Sequence, residues 1–294
     1  MRSLLILLCF ALGLKAASSL QAGEVGLPKP GTLDGVGVNI HFTHAKPGEL
    51  EMIAAGGFRF VRMDFGWDGI EHDKGAYDFA AYDHLMGDLD RLGLRAYFIL
   101  DYGHRLYDGG LSPHTDEGRA GFCAFVKATM QHFAGRGIVW EMWNEPNIGF
   151  WKPVPNADDY ARLAFAVGEA IREVTPKEIF VGPTTSEVDL AFMETCFKAG
   201  CIRLWDAVSV HPYRHRPPET VAEDYRTMRS LIRPTLLRFD DKRPDPPILS
   251  GEWGYSSSID GWGKGYDEVR QGQYLPRQWL MNIANDVRIS IWYN

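Results

Sequence analysis

The feature that most constrains the fold is an eightfold alternation of two hydrophobic periods. Short apolar runs rich in β-branched and aromatic residues recur along the chain, and the segments between them have helical spacing. The eight runs are 36–42, 58–65, 95–101, 139–145, 179–183, 207–213, 248–253 and 289–293. In one intervening segment Tyr160, Leu163, Val167 and Ile171 recur every three to four residues, and Asn156 is placed to cap the helix.

Eight strand–helix units in a chain of 294 residues predict an α/β protein with a parallel sheet closed into a (β/α)8 TIM barrel. A doubly wound open sheet is the alternative, but it usually has a glycine-rich phosphate turn after its first strand. Here the first run is followed by His-Phe-Thr-His at 41–44. The sequence ends at Asn294, just past the eighth run, so the predicted barrel has its eighth helix absent from this chain.

The N-terminus has the pattern of a secretory signal peptide. A basic Arg2 precedes an apolar run at 4–14, and small residues follow at 16–22. We therefore expect a signal peptide at 1–22, a catalytic domain at 23–294, and a secreted or periplasmic protein. A retained membrane anchor is the alternative for this segment, but no later run is long enough to insert into a membrane.

The charge of the chain bears on its partners. The formal net charge is −7. An acidic surface argues against binding to a phosphate backbone, so no nucleic-acid partner is expected. We expect a carbohydrate partner, for the reasons given below, and a monomer.

Two carboxylates stand at the carboxyl ends of predicted strands, where TIM barrels hold their chemistry. Glu145 ends the fourth strand and Glu252 lies near the end of the seventh, which places them across the barrel mouth from each other. Two carboxyl groups in one cleft can divide acid and base work, as glycoside hydrolysis requires. One group protonates the leaving oxygen, and the other attacks the sugar or activates water.

Other polar and aromatic residues at the strand ends are predicted to bind the substrate. They are His41, Arg62, His104, Asn144, His211, Tyr213 and Trp292. A cation or hydrogen-bond donor near a carboxylate favours its ionised form, so Arg62, His211 and Tyr213 are placed to orient Glu252. Two other interpretations remain open: Arg62 could pair with Asp64, and the three histidines could be metal ligands.

Several motifs resemble clan A glycoside hydrolases, near family 39 and family 5, the latter including many cellulases. They are Trp-Asn-Glu-Pro-Asn at 143–147, Gly-Glu-Trp-Gly at 251–254, Gly-Ala-Tyr-Asp-Phe at 75–79 and His-Pro-Tyr at 211–213. The resemblance runs from about Val36 to Tyr293.

The resemblance implies roles for the site residues. Glu145 would be the general acid/base and Glu252 the nucleophile of a retaining double displacement. Arg62 and Tyr213 would contact the nucleophile. Asn144 would bind the hydroxyl next to the anomeric carbon, and Trp292 would line the site.

The predicted function is therefore a retaining O-glycoside hydrolase that acts on a β-linked poly- or oligosaccharide without cofactor or metal. Two alternatives remain open. One is a carbohydrate-binding protein that has lost turnover. The other is a metal-dependent hydrolase using His41, His104 and His211, although the chain lacks a His-Glu-x-x-His motif.

Overall fold

The structure is a computed structural model that describes residues 26–259 and 265–293. The predicted signal peptide at 1–22 lies outside these residues. Ten strands are present in this part of the chain: β1 (Val36–Asn39), β2 (Phe60–Gly66), β3 (Glu71–Asp73), β4 (Ala76–Tyr77), β5 (Arg95–Asp101), β6 (Val139–Met142), β7 (Ile179–Ser186), β8 (Ala207–His211), β9 (Ile248–Trp253) and β10 (Val287–Trp292).

The helices alternate with the barrel strands. They are α1 (Glu49–Ala55), α2 (Trp67–Ile70), α3 (Ala80–Leu92), α4 (Asp116–His132), α5 (Ala157–Val174), α6 (Leu190–Lys198), α7 (Val221–Arg238) and α8 (Glu268–Ala284). Asn156 caps α5 as the sequence predicts, because its side chain accepts a hydrogen bond from the backbone N–H of Asp159. No helix in the described residues is both long and apolar enough to span a membrane.

Eight parallel strands close into a barrel in the order β1-β10-β9-β8-β7-β6-β5-β2. All eight correspond to the predicted runs, so the (β/α)8 fold is confirmed. The two remaining strands, β3 and β4, form a small antiparallel hairpin that the hydrophobic pattern does not predict. It is held by tertiary contacts: the buried carboxylate of Glu71 accepts hydrogen bonds from Trp67 Nε1, Gly75 N and Tyr107 OH.

Side chains on alternate positions of each barrel strand point inward, which builds the interior in layers. The lower layer is apolar and contains Phe60, Tyr97, Val139, Val181, Ala207, Leu249, Ile289 and Ile291. The outward positions pack under the helices. Phe65, for example, is fully buried against Phe98, Trp140 and Phe125, with ring centroids 5.4–6.0 Å apart. Burial of one such side chain contributes about 1.5–3 kcal/mol.

The last element described is β10, and the helix before it lies over the outer side of the barrel there. Trp279 of α8 contacts Trp253 on one side and Phe58 on the other, with ring centroids 6.1 and 5.7 Å apart. Asn282 of the same helix donates a hydrogen bond to Ser290 Oγ at 2.8 Å. Because Phe58 precedes β2 and Trp253 belongs to β9, α8 reaches across the strands between them.

Candidate active site

Every second side chain of a barrel strand points inward, so polar side chains near the ends of several strands lie at the same barrel mouth. On β2 the inward positions are Phe60, Arg62 and Asp64, which rise from the apolar layer to the rim. On β8 the same spacing brings His211 to the mouth, where it meets Glu145. The strand ends therefore meet in one cleft of about 440 Å³.

Glu252 is held from two sides. Arg62 Nη1 donates to its Oε2 at 2.6 Å, and the Tyr213 hydroxyl donates to its Oε1 at 2.6 Å. A guanidinium and a phenol hydroxyl that both donate to the carboxyl group fix its position and orientation. The contacts leave one lone pair on each oxygen, so the group can still act as a nucleophile.

Glu145 stands on a sharply bent segment after β6. Trp143 and Glu145 both have positive φ values, 65° and 44°, in the left-handed region where residues with a Cβ are strained. The bend is fixed by a hydrogen bond from the Glu145 backbone N–H to the carbonyl oxygen of Thr184. It is also fixed by the fully buried Trp143 ring, which packs on Trp151. The segment thus directs Glu145 toward the cleft.

The two glutamates are close together. Glu145, His211 and Glu252 each place one side-chain N or O atom within 4.8 Å of those of the other two. His211 Nδ1 lies 2.9 Å from Glu145 Oε1 and 3.9 Å from Glu252 Oε2. The carboxyl groups of retaining glycosidases are about 5–5.5 Å apart and those of inverting ones about 6.5–9.5 Å apart. With one atom of each carboxyl group within 4.8 Å of the other, both groups can reach the same glycosidic bond.

A third glutamate, on β6, lies beneath the site. Glu141 is fully buried and accepts hydrogen bonds from Arg62 Nε at 2.6 Å and Nη2 at 3.2 Å. Space for it depends on Gly251 of β9, because a Cβ there would lie 3.2 Å from Glu141 Oε1 and 2.7 Å from Ser209 Oγ. The alternative interpretation that Arg62 pairs with Asp64 is wrong, since its partners are Glu141 and Glu252.

The buried charged groups of the site shift one another's pKa values. Burial opposes ionisation of Glu141, but Arg62 and His211 outweigh it and hold the pKa below its ordinary value. Burial also lowers the pKa of His211, as does Arg62, whose Nη2 is 3.1 Å from Nε2. The surrounding carboxylates of Glu252, Glu141 and Glu145 prevail and raise the pKa of His211 to about 9. The ring lies between two carboxyl groups, with Nδ1 2.9 Å from Glu145 Oε1 and Nε2 3.4 Å from Glu141 Oε1.

The cleft wall combines predicted and unpredicted residues. Of the predicted substrate-binding residues, His41, Arg62, Asn144 and Tyr213 line the cleft, and His211 lies fully buried directly behind Glu145. Asn144 Oδ1 accepts a hydrogen bond from Arg62 Nη2 at 2.9 Å, which leaves its amide N–H groups as donors. Further lining residues that the sequence did not single out include Tyr102, Phe150, Glu187, Tyr255, Tyr266 and Tyr293.

The other two predicted substrate-binding residues do not line the cleft. His104 is fully buried, and its ring nitrogens bond to the backbone carbonyl of Glu71 and the backbone N–H of Leu106. Neither nitrogen is available to a sugar or a metal ion. Trp292 packs edge-to-face on Trp253, with ring centroids 4.8 Å apart. Because alternate residues of β10 point inward, the next residue, Tyr293, lines the cleft instead.

Two buried acidic residues of the site were not predicted from the sequence, although each has a recognisable position there. Glu141 interrupts the apolar run Val-Trp-Glu-Met of β6, and Asp101 ends the apolar run of β5. A charged residue inside a buried strand requires a partner, and on an inward position that partner comes from another strand of the barrel.

The Glu145, His211 and Glu252 atoms are close enough together to ligate one cation. However, Arg62 Nη1 already lies 2.6 Å from Glu252 and the His211 ring is held between Glu145 and Glu141. Positive charge is thus supplied by the protein itself, and a metal ion at this position would be repelled by the Arg62 guanidinium.

The chain is similar to several known proteins. It is similar to a β-xylosidase of Geobacillus stearothermophilus, with 25% identity, 75% of this chain and 51% of that protein being covered. Among solved structures, it resembles a family 39 glycoside hydrolase from Bacteroides cellulosilyticus WH2, with a TM-score of 0.74, 21% identity, and 89% of this chain and 56% of that one covered. The chain also resembles a family 39 β-xylosidase from Caulobacter crescentus, with a TM-score of 0.68 and 21% identity. The match covers 91% of this chain and 63% of that one.

The chain spans about half the length of these relatives. It covers 51% of the β-xylosidase from Geobacillus stearothermophilus and 56% of the Bacteroides cellulosilyticus enzyme. The two structural likenesses establish a shared barrel fold. The sequence model of a family described as Cellulase (glycosyl hydrolase family 5) matches residues 36–293, which is almost the whole barrel. These matches confirm the resemblance to clan A glycoside hydrolases near families 39 and 5. The chain belongs to the cellulase family, glycosyl hydrolase family 5.

Proposed function

We propose that the protein is a retaining glycoside hydrolase that cleaves a β-linked poly- or oligosaccharide, with Glu145 as general acid/base and Glu252 as nucleophile. The observation that carries the proposal is the pairing of the two carboxylates within 4.8 Å in one cleft. Only Glu252 of the two is held by both Arg62 and Tyr213. That asymmetry favours Glu252 as the nucleophile, because its carboxyl group is the one held in a fixed orientation.

In the first step, Glu145 gives its proton to the glycosidic oxygen while a Glu252 oxygen attacks the anomeric carbon. The leaving group departs as an alcohol, and a glycosyl ester forms on Glu252. In the second step, Glu145 takes a proton from water, the water oxygen attacks the anomeric carbon, and Glu252 is released as a carboxylate. Atoms and charges balance over the two steps without a cofactor.

The buried ion pair beneath the site lowers the cost of this cycle. When Glu252 is esterified it loses its negative charge, and a buried Arg62 with no other partner would then be strongly destabilised. Glu141 remains against Arg62 through two hydrogen bonds, at 2.6 and 3.2 Å. The guanidinium therefore keeps its charge partner and its position through both steps.

We also propose, from the N-terminal sequence, that the protein is exported. The apolar run at 4–14 after Arg2 supports export with removal of a segment ending near residue 22. The remaining domain, 23–294, would then act outside the cytoplasm on a carbohydrate.

The roles of the two glutamates can be separated with azide. Glu145→Ala should still react in the first step with dinitrophenyl β-glycosides, whose leaving group needs little protonation, and azide should accelerate the second step to give a β-glycosyl azide. Glu252→Ala should lose turnover of every substrate, and azide should give the inverted α-azide. Exchanged outcomes would reverse the assignment. A loss smaller than about a hundredfold in both variants would place the chemistry elsewhere.

A further inference from the structure

A second pair of carboxyl groups lies beside the glutamates. Asp101 ends β5 and is completely buried. Neither of its carboxyl oxygens has an N–H or O–H donor among the described residues. Asp64 lies on the neighbouring strand β2, where it pairs with Ile99, two residues before Asp101, so both aspartates belong to the inward face of the barrel.

A carboxyl group that is buried beside another carboxylate resists ionisation, because burial and the neighbouring negative charge both oppose it. Burial and the Asp64 charge raise the pKa of Asp101 well above its ordinary value. Arg62 acts in the opposite direction, but its guanidinium is already bound to Glu141 and Glu252. A proton on Asp101 converts one unsatisfied oxygen into a donor toward Asp64 and removes a buried charge.

Asp64 stands at the junction of two hollows. It lines the catalytic cleft and also an adjoining open groove of about 510 Å³ formed with His41, Thr43 and His44. Its backbone is fixed by Tyr82, whose hydroxyl donates to the Asp64 carbonyl at 2.9 Å and accepts from Gly66 N at 3.2 Å. The Asp64 carboxylate is thus supported from behind by Asp101 and exposed in front.

The charges around this junction favour ligand groups that donate hydrogen bonds over ligand groups that are negatively charged. Arg62 and Arg214 are the only arginines that line the cleft within the part of the chain described, and both are engaged. Arg62 binds two glutamates, and Arg214 binds Asp224 at 2.8 Å. No ion pair to Asp64 is found in the described residues. An ionised Asp64 can only accept hydrogen bonds, which sugar hydroxyls can donate.

We propose that Asp64 and Asp101 form a proton-sharing carboxyl pair, in which the protonated Asp101 orients the Asp64 carboxylate to accept hydrogen bonds from the hydroxyl groups of an uncharged sugar. A ring bearing a carboxylate or a sulfate at this position is disfavoured by repulsion. Asp64 is then a specificity-determining residue and Asp101 a positioning residue. The inference rests on the proposed glycosidase function for the identity of the ligand, but not for the shared proton.

Infrared spectroscopy tests the proton without any substrate. The difference spectrum between the wild-type protein and Asp101→Asn at neutral pH should contain the C=O stretching band of a protonated carboxyl group. The matched control is Asp73→Asn, an exposed aspartate of the β3–β4 hairpin that lines neither hollow. Its difference spectrum should lack the band. If the Asp101→Asn difference spectrum also lacks it, the proton-sharing pair is refuted.

Kinetics with dinitrophenyl β-cellobioside and β-xylobioside test the sugar contact. Asp64→Asn should lower kcat/KM about tenfold or more, the loss expected for a hydrogen bond to a charged group. Asp101→Leu should lower it as well. Asp101→Asn keeps an N–H donor toward Asp64 and should restore kcat/KM to within about threefold of wild type.

The outcomes separate the two proposals. Asp64→Asn activity within threefold of wild type on the better of the two substrates would overturn the sugar contact while leaving the glutamate roles intact. A wild-type protein that hydrolyses neither substrate nor any aryl glycoside would overturn the proposed function, and the sugar contact with it. The infrared band would still decide whether the carboxyl pair holds a proton.

Discussion

Asp101→Asn should make the protein more stable at neutral pH than the wild type, although it removes an acidic residue from the interior. In the folded protein, burial and Asp64 raise the pKa of Asp101 well above its ordinary value. In the unfolded chain the same residue ionises near pH 4. Unfolding at higher pH therefore releases a proton, and each rise in pH favours the unfolded state of the wild type.

The size of the effect follows from proton linkage. With one proton more in the folded than in the unfolded state, the free energy of unfolding falls by about 1.4 kcal/mol per pH unit. The fall begins above about pH 4 and ends at the raised pKa of the folded protein. Asparagine resembles the protonated acid in shape and has no proton to lose, so the variant lacks this slope. For a domain of this size, about 1.4 kcal/mol corresponds to about 3–5 °C in Tm.

The assay is urea unfolding of both proteins at intervals between pH 4 and 7, followed by tryptophan fluorescence. The two free energies of unfolding should be similar near pH 4, and the variant should gain on the wild type with each unit above it. A difference that does not change with pH would refute the reasoning. So would a variant that loses stability relative to the wild type as the pH rises, because Asp101 would then be ionised in the folded protein.

Three further substitutions test the contacts around the glutamates. Tyr213→Phe removes one of the two donors to the proposed nucleophile and should lower kcat by about 10–100-fold, with Tm nearly unchanged. Glu141→Gln removes the charge partner of Arg62 and should lower the free energy of unfolding by about 3–5 kcal/mol, whereas Glu117→Gln, at an exposed ion pair, should cost under about 1 kcal/mol. The pKa of His211 is raised from 6.5 to about 9, so its stabilising contribution is complete below 6.5 and lost as the pH rises through 9. His211→Gln should flatten the stability curve over that interval, and an unchanged slope would show that the ring is neutral in the folded protein.

The barrel could be predicted because its signal is distributed over the whole chain. Each strand carries its own run of β-branched and aromatic residues, and eight such runs in one domain leave few alternatives. The β3–β4 hairpin could not be predicted in this way. Its buried Glu71 is stabilised by donors from Trp67 and Tyr107, and contacts of that kind depend on the folded structure.

Site residues could be predicted where a chemically reactive side chain stands near the carboxyl end of a predicted strand. Glu145 and Glu252 are carboxylates near strand ends, and both lie in the cleft. The predicted residues that do not line the cleft are those for which the direction of the side chain or the path of a loop decides the position. Trp292 differs from Tyr293 by one position, which reverses the face on which the side chain lies. His104 lies beyond the end of β5 in a loop whose path the sequence does not specify.

The central claim, that Glu252 forms a covalent bond to the sugar, is tested most directly by trapping that bond. The protein is incubated with a fluorinated β-glycoside whose leaving group is dinitrophenol, digested, and analysed by tandem mass spectrometry. We expect stoichiometric release of dinitrophenol and one modified peptide with the sugar on Glu252, and no modification in Glu252→Ala. A label on Glu145 would contradict the assignment, and steady turnover of natural substrate with an inverted product and no labelled peptide would contradict the retaining mechanism itself.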